Sequence, residues 1–271
     1  MVGIALLAIS GIAGAGVYVP PGPFDPFSMR MPGASQMPGP PSGFERVAPP
    51  QPLVSGSMFA LISTASVATA YSLDHRVWQA SDSTSSSTRR TADVVARFGD
   101  LRYLGPALIA GYAFGKIARL PGASSASTRI GASVIGAGAV SAVLKVATGR
   151  TRPDHSAGDS DDFSPFGGAD AFPSGHTTIA FAFASALDQE TQARWVPWVA
   201  YPAAAAVGWA RIVQNRHWLS DVVAGAALGT WAGREFDLRL QKRAHLPRGM
   251  SARPIFRVSA RHARVGLALR F

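Results

Sequence analysis

Six apolar stretches rich in alanine and glycine do most to limit what this chain can fold into. They lie at roughly 54–72, 101–119, 130–148, 176–188, 195–213 and 220–236. They hold few β-branched runs and many alanines, the residue with the highest helix propensity, so each reads as a helix rather than a strand. Six helices between residues 54 and 238 predict an all-α bundle.

A membrane span needs about 20 apolar residues. Residues 130–144 come closest. The stretch after His176 runs apolar only to Leu187 before Asp188-Gln189-Glu190, and the one after Asp221 reaches only Gly233 before Arg234-Glu235. Residues 101–119 are broken by Pro106 and carry Lys116 and Arg119. These interruptions favour a bundle that is soluble or lies against a membrane over a protein with six spans.

Residues 3–16 are uncharged and apolar and end in Ala13-Gly14-Ala15. Residues 1–19 therefore read as a signal or anchor segment, although no basic residue precedes them; a buried apolar element is the alternative. Eleven of the 20 prolines fall between Pro20 and Pro52, so residues 20–53 read as a Pro/Gly-rich linker. The helical domain spans 54–238, and 239–271 is a basic tail in which Val265, Leu267, Leu269 and Phe271 alternate as one short strand. An exported N-terminus would place the linker outside a cell, whereas the basic tail suits a cytoplasmic end.

Arginine supplies most of the formal charge of +10, since lysine occurs only at 116, 145 and 242. Such a balance suits phosphate esters and anionic lipid head groups. Nucleic acid is not expected as a partner, because the basic residues do not interleave with aromatics. The absence of cysteine excludes disulfides, thiolate catalysis and cysteine-ligated metal centres.

Three short clusters stand in order at the ends of these helices. The first runs from Lys145 to Arg152-Pro153, the second is Phe172-Pro173-Ser174-Gly175-His176-Thr177, and the third runs from Arg211 through His217 to Asp221. Lys145 offers a point charge and Arg152 a planar fork that matches two phosphate oxygens. Ser174 can cap the next helix, Gly175 lets backbone approach a ligand, and free N–H groups at a helix start attract an oxyanion. His176 is delivered beside that anion. Asp221 follows His217 by four residues, so a helix starting there puts both on one face. The carboxylate can then accept one imidazole N–H and leave the other nitrogen free to attack.

Each piece alone has a plainer explanation. A lysine or arginine at a helix end usually complements the dipole, and Pro-Ser-Gly is usually a turn. His217-Trp218 alone would more often be a packed pair. Together, two histidines, three cations and a helix start make a phosphate-transfer site that requires no metal.

The three clusters resemble the signature of the type 2 phosphatidic acid phosphatase and vanadium haloperoxidase superfamily. The match covers 145–221 directly and, through the helices, about 54–238. The resemblance implies a six-helix bundle of the acid phosphatase and vanadium-dependent haloperoxidase type. It also implies that His217 is the nucleophile forming a phosphohistidine, that Asp221 orients it, and that His176 protonates the leaving alcohol and then activates water. Lys145, Arg152, Arg211, Ser174 and the Gly175 amide would hold the phosphate oxygens. Ala210 departs from the pattern, which has serine there, and this weakens one expected hydrogen bond.

Arg150 and Arg216 are extra cations that widen anion attraction or are simply solvated. Asp74-His75-Arg76 and Asp154-His155 read as loop residues, mostly solvated, with a role in substrate choice at the pocket rim as the alternative, and the acidic run Asp159–Asp162 would repel phosphate. The expected activity is hydrolysis of phosphate monoesters, lipid phosphates or pyrophosphates foremost, without metal or other cofactor, at a membrane surface on the extracytoplasmic or periplasmic side of the cell envelope. The alternatives are a haloperoxidase, in which vanadate takes the place of phosphate on His217, and a non-catalytic binder of lipid phosphates.

Overall fold

The computed structural model of the chain describes residues 55–244, Ala157 excepted, and two strands near the C-terminal end. The expected signal or anchor segment at 1–19 and the linker at 20–53 lie outside the described residues. Seven α-helices follow one another among the described residues. They are α1 (Gly56–Asp82), α2 (Ser86–Ala96), α3 (Leu101–Ile117), α4 (Pro121–Thr148), α5 (Gly175–Thr191), α6 (Val196–Val213) and α7 (Leu219–Ala244).

The six apolar stretches lie in α1 and in α3 to α7. The extra helix, α2, escaped because its sequence is polar and charged. Ser85 starts it, its hydroxyl accepting the Thr88 N–H at 3.3 Å. Its buried seam is only Ala92 and Ala96, packed on Ala210 and Val213 of α6. Asp100 caps α3 in the same way, accepting the Arg102 N–H at 2.9 Å.

Helix α5 is the centre of the bundle and packs against α4, α6 and α7. Its contact with α7 is close because Gly225, Gly229 and Gly233 lie on one stripe. A Cβ on these would stand 2.7 Å from the Ser174 carbonyl oxygen, 2.4 Å from that of Thr178 and 2.5 Å from that of Ala182. Backbone therefore lies on backbone along this seam, a packing that only small residues permit.

The interior is built from small side chains. Ala137, Ala182, Ala186 and Ala232 are fully buried with Ile130 and Val134, and Ala184 and Ala204 sit with Val207 in a second cluster. Many large apolar residues point outwards instead, among them Ile109, Ile117, Ile135, Val143, Trp195 and Trp198. Burying one such side chain is worth about 1.5–3 kcal/mol. A protein bathed wholly in water would forgo that gain at each of these positions; lipid tails would restore it. Among the described residues two helices, α1 and α4, are long and apolar enough to cross a membrane, and α4 contains the stretch 130–144.

Instead of one strand at 264–271, the chain forms an antiparallel hairpin of β1 (Ser251–Ser259) and β2 (His262–Arg270). The first strand was hidden by Pro254, which interrupts the alternation of Ala252, Phe256 and Val258.

Candidate active site

Helix α4 ends at a left-handed glycine. Gly149 has φ of +56°, and a Cβ there would lie 1.8 Å from the Ser164 carbonyl oxygen, so no other residue fits without moving the loop. Its N–H closes the helix on the Lys145 carbonyl at 2.9 Å. The sharp turn keeps Lys145 in the last helical turn and brings Arg152 back beside it. Asp170 links the two: its carbonyl oxygen accepts from Lys145 Nζ, and its Oδ2 accepts from Arg152 Nη2 at 2.7 Å. Asp170 gave no signal in the sequence, standing outside all three clusters.

Ser174 stands at the N-cap of α5, but its hydroxyl does not cap a backbone N–H. Its Oγ accepts instead from Thr177 Oγ1 at 2.9 Å. Gly175 and His176 open the helix, and Lys145 Cε would lie 3.5 Å from a Cβ on Gly175. That is an ordinary van der Waals separation, so the glycine leaves the Lys145 side chain beside the helix start. His176 has Asp100 for a neighbour, Nε2 to Oδ2 being 3.8 Å. Asp100 also accepts from Arg102 Nε at 2.9 Å and Nη2 at 2.6 Å, which holds its carboxyl below the usual carboxylate range. Sequence reading missed Asp100, whose N-cap position before α3 was the one available sign.

Arg211 lies in the last turn of α6 and donates from Nη1 to Gln214 Oε1 at 2.5 Å. His217 follows in the connection to α7 and is buried. Its Nδ1 faces Asp221 Oδ2 at 3.6 Å, longer than the expected hydrogen bond. Burial holds the His217 ring down to about 4, against the opposing pull of Asp221, so the ring is neutral near pH 7.

The residues singled out in the sequence thus come together. His176 lies within electrostatic reach of Arg211, His217 and Lys145, and Lys145 within reach of Arg152, Asp221 and Arg211. Arg152 Nε and Arg211 Nε are buried and have no hydrogen-bond partner in the protein. A buried N–H without an acceptor costs roughly 1–3 kcal/mol, a cost that a bound oxyanion would remove. No group of three or more histidines and carboxylates placed to hold a metal ion occurs among the described residues. A separate groove of about 450 Å³, lined by Ile62, Thr69 and Leu73 of α1 and by Leu219 among others, carries no charged side chain.

Two readings of the sequence need correction. Asp74-His75-Arg76 do not lie in a loop but inside α1, and Asp74 is buried rather than solvated. Arg150 is neither solvated nor free to attract anions, being fully buried with its guanidinium bound to Asp74 and Asp221. Arg216 is at the surface and pairs with Asp154 at 2.8 Å. Buried charge pairs and solvated charges look alike in a single sequence, and the arginine next to a glycine turn gave no periodic signal.

Residues 126–239 match the sequence model of the PAP2 superfamily. Curated relatives named lipid A 1-phosphatase share the region. The protein of Porphyromonas gingivalis is 42% identical over 91 residues, which is 33% of this chain and 18% of that protein. The protein of Rhizobium johnstonii is 37% identical over 130 residues, 45% of this chain and 52% of that protein. This chain therefore spans about half, or less, of the length of these relatives. In fold it is similar to a solved transmembrane PAP2-type phosphatidylglycerolphosphate phosphatase from Bacillus subtilis. That likeness has a TM-score of 0.52 at 18% identity, over 71% of this chain and 97% of that one.

Proposed function

Residues 126–239 belong to the PAP2 superfamily, and from that premise we propose that the chain hydrolyses phosphate monoesters, lipid phosphates foremost, through a histidine nucleophile. The two buried guanidinium N–H groups without acceptors, beside two imidazoles, carry this proposal. Positive groups fixed in place before the substrate arrives stabilise charge as it grows on the phosphoryl oxygens.

In the proposed reaction Arg152, Arg211 and Lys145 take the phosphate oxygens, with Ser174 and the Gly175 amide at the helix start. Neutral His217 attacks phosphorus with Nε2, because its Nδ1 faces Asp221. Burial lowers His176 to about 4 in the free protein, so it takes up its proton as the anionic phosphate binds beside it. It gives that proton to the departing oxygen as the P–O bond to the alcohol breaks. The phosphorylated ring of His217 is then a cation facing the Asp221 carboxylate. Water next attacks phosphorus, His176 takes its proton, and the P–N bond breaks to release inorganic phosphate and neutral His217. Every step balances without metal or other cofactor.

The name shared by the curated relatives favours a phosphorylated glycolipid such as lipid A as substrate. The outward-facing apolar side chains and the two long apolar helices support residence in a membrane; that the site opens on its extracytoplasmic face is part of the proposal. The test is phosphate release by purified full-length chain in detergent, from an aryl phosphate and from a lipid phosphate, with a chelator present. Release should persist with the chelator and vanish in His217→Ala. Unchanged turnover in that variant would remove the proposed mechanism.

A further inference from the structure

The proposed mechanism leaves one cluster of buried charge unexplained. Arg150 is only 1% exposed in its side chain, and Asp74 and Asp221 are both fully buried. The guanidinium donates from Nη1 to Asp221 Oδ1 at 2.6 Å and to Ser220 Oγ at 2.7 Å. From Nη2 it donates to Asp74 Oδ2 at 2.8 Å and to the Ser160 carbonyl at 2.8 Å. Its Nε donates to the same carbonyl at 3.1 Å. Asp74 closes the circuit, accepting the Ser220 N–H at 2.8 Å and the Ser220 hydroxyl at 2.6 Å. The rings of Tyr71, Phe163 and Trp218 surround the guanidinium, with centroids 5.2, 5.1 and 5.4 Å from its carbon.

We infer that Arg150 and Asp74 are positioning residues that fix the Asp221 carboxylate for the His217 nucleophile; this inference rests on the phosphatase mechanism proposed above. The geometry gives the reason. Asp221 is held at both oxygens, Oδ1 by Arg150 and Oδ2 by the Trp218 N–H at 2.8 Å. Held so, it turns Oδ2 towards His217 Nδ1. Charge gives a second reason. Arg150 alone would cancel the charge of Asp221 as seen from His217, and Asp74 restores it, leaving one net negative charge behind the ring. That charge matters most when the ring turns cationic on bonding to phosphorus, so its effect falls on the transition state rather than on substrate binding. Burying three charges is expensive and adds little to stability over an apolar core, which suits a functional pressure for keeping them.

The test compares Asp74→Asn, Asp221→Asn and the double variant, as full-length purified protein in detergent, with an aryl phosphate as substrate. Asp74→Asn should lower kcat by about tenfold or more while KM stays within about threefold. In the Asp221→Asn background the same change should lower kcat no further, because its effect passes through Asp221. An equal loss in both backgrounds, or an unchanged kcat in the single variant, overturns the inference. Should Asp74→Asn fail to accumulate, Ser220→Ala takes its place under the same criteria. If Asp221→Asn alone retains full kcat, the inference also falls, because nothing then passes through Asp221; failure of the histidine mechanism is read separately, as turnover that survives in His217→Ala.

Discussion

Ser174 and Asp221, 47 positions apart in the sequence, meet through their backbones: the Ser174 N–H donates to the Asp221 carbonyl oxygen at 2.9 Å. This single bond ties the start of α5 to the start of α7. It fixes the helix that carries His176 against the turn that presents His217. Directly below it, Gly225 lets the two helices touch.

Gly225→Val should therefore damage the site without altering any charged residue. The added Cβ meets the Ser174 carbonyl oxygen at 2.7 Å, so the helices must part. Overpacking of this kind costs about 1–3 kcal/mol. Thermal unfolding should show a lower Tm, and kcat should fall with it. A variant with wild-type Tm and rate would mean that this contact does not hold the site.

His217 and His176, both lowered to about 4 by burial, share the acid limit of stability, and His217 shows the logic. The unfolded ring titrates near 6.5, whereas the folded ring titrates near 4. Between those values the unfolded chain holds a proton that the folded chain does not, so stability falls as pH falls through that window, by up to about 3 kcal/mol. Above pH 6.5 the ring makes no such contribution. The Tm of the wild type should drop more steeply from pH 6.5 to 4 than that of His217→Gln. The reaction needs His217 neutral and His176 protonated, and both rings titrate near 4 in the free enzyme. The value of kcat/KM should therefore rise as pH falls from 7 towards about 4 and decline below it.

Arg152 and Arg211 should not tolerate lysine. Each presents a buried Nε–H for an oxyanion, a donor that an ammonium at the end of a flexible chain cannot place. Arg211→Lys and Arg152→Lys are expected to lower kcat/KM by about 10²-fold, in the range of a lost transition-state donor. Steady-state kinetics with an aryl phosphate measures this directly.

Asp100 faces His176 at 3.8 Å and is expected to favour its protonated form. Asp100→Asn should then slow esters of poorly acidic alcohols more than esters of nitrophenol, whose leaving group needs little help from a proton. Equal losses for both substrates would show that Asp100 acts only as the cap of α3.

The outward side chains Ile109, Ile135 and Trp198 lead to a cell-level expectation. Protein in isolated membranes should resist extraction at alkaline pH and come out only with detergent. Release by high salt or carbonate would make the bundle peripheral.

Much of the fold was legible in sequence because alanine-rich helices and glycine turns are local signals. The apolar stretches marked α1 and α3 to α7, and the clusters around Lys145, His176 and His217 marked the ends that converge. Helix α2 was not legible, since two buried alanines cannot tint a polar segment. Asp74 and Arg150 were misread for a deeper reason. Whether a charge is solvated or buried depends on a partner 76 positions away, and nothing local records that distance. Asp170 falls in the same class, as does the approach of Asp100 to His176, since each of these meetings needs the helices packed.

The first helix is joined to the rest in an unusual manner. Its buried residues are Ala70, Asp74 and Ser81, and its Trp78 ring meets that of Trp218 at 6.4 Å. Asp74 shares the Arg150 guanidinium with Asp221, so the bond that fastens this helix is also one that holds the carboxylate facing His217.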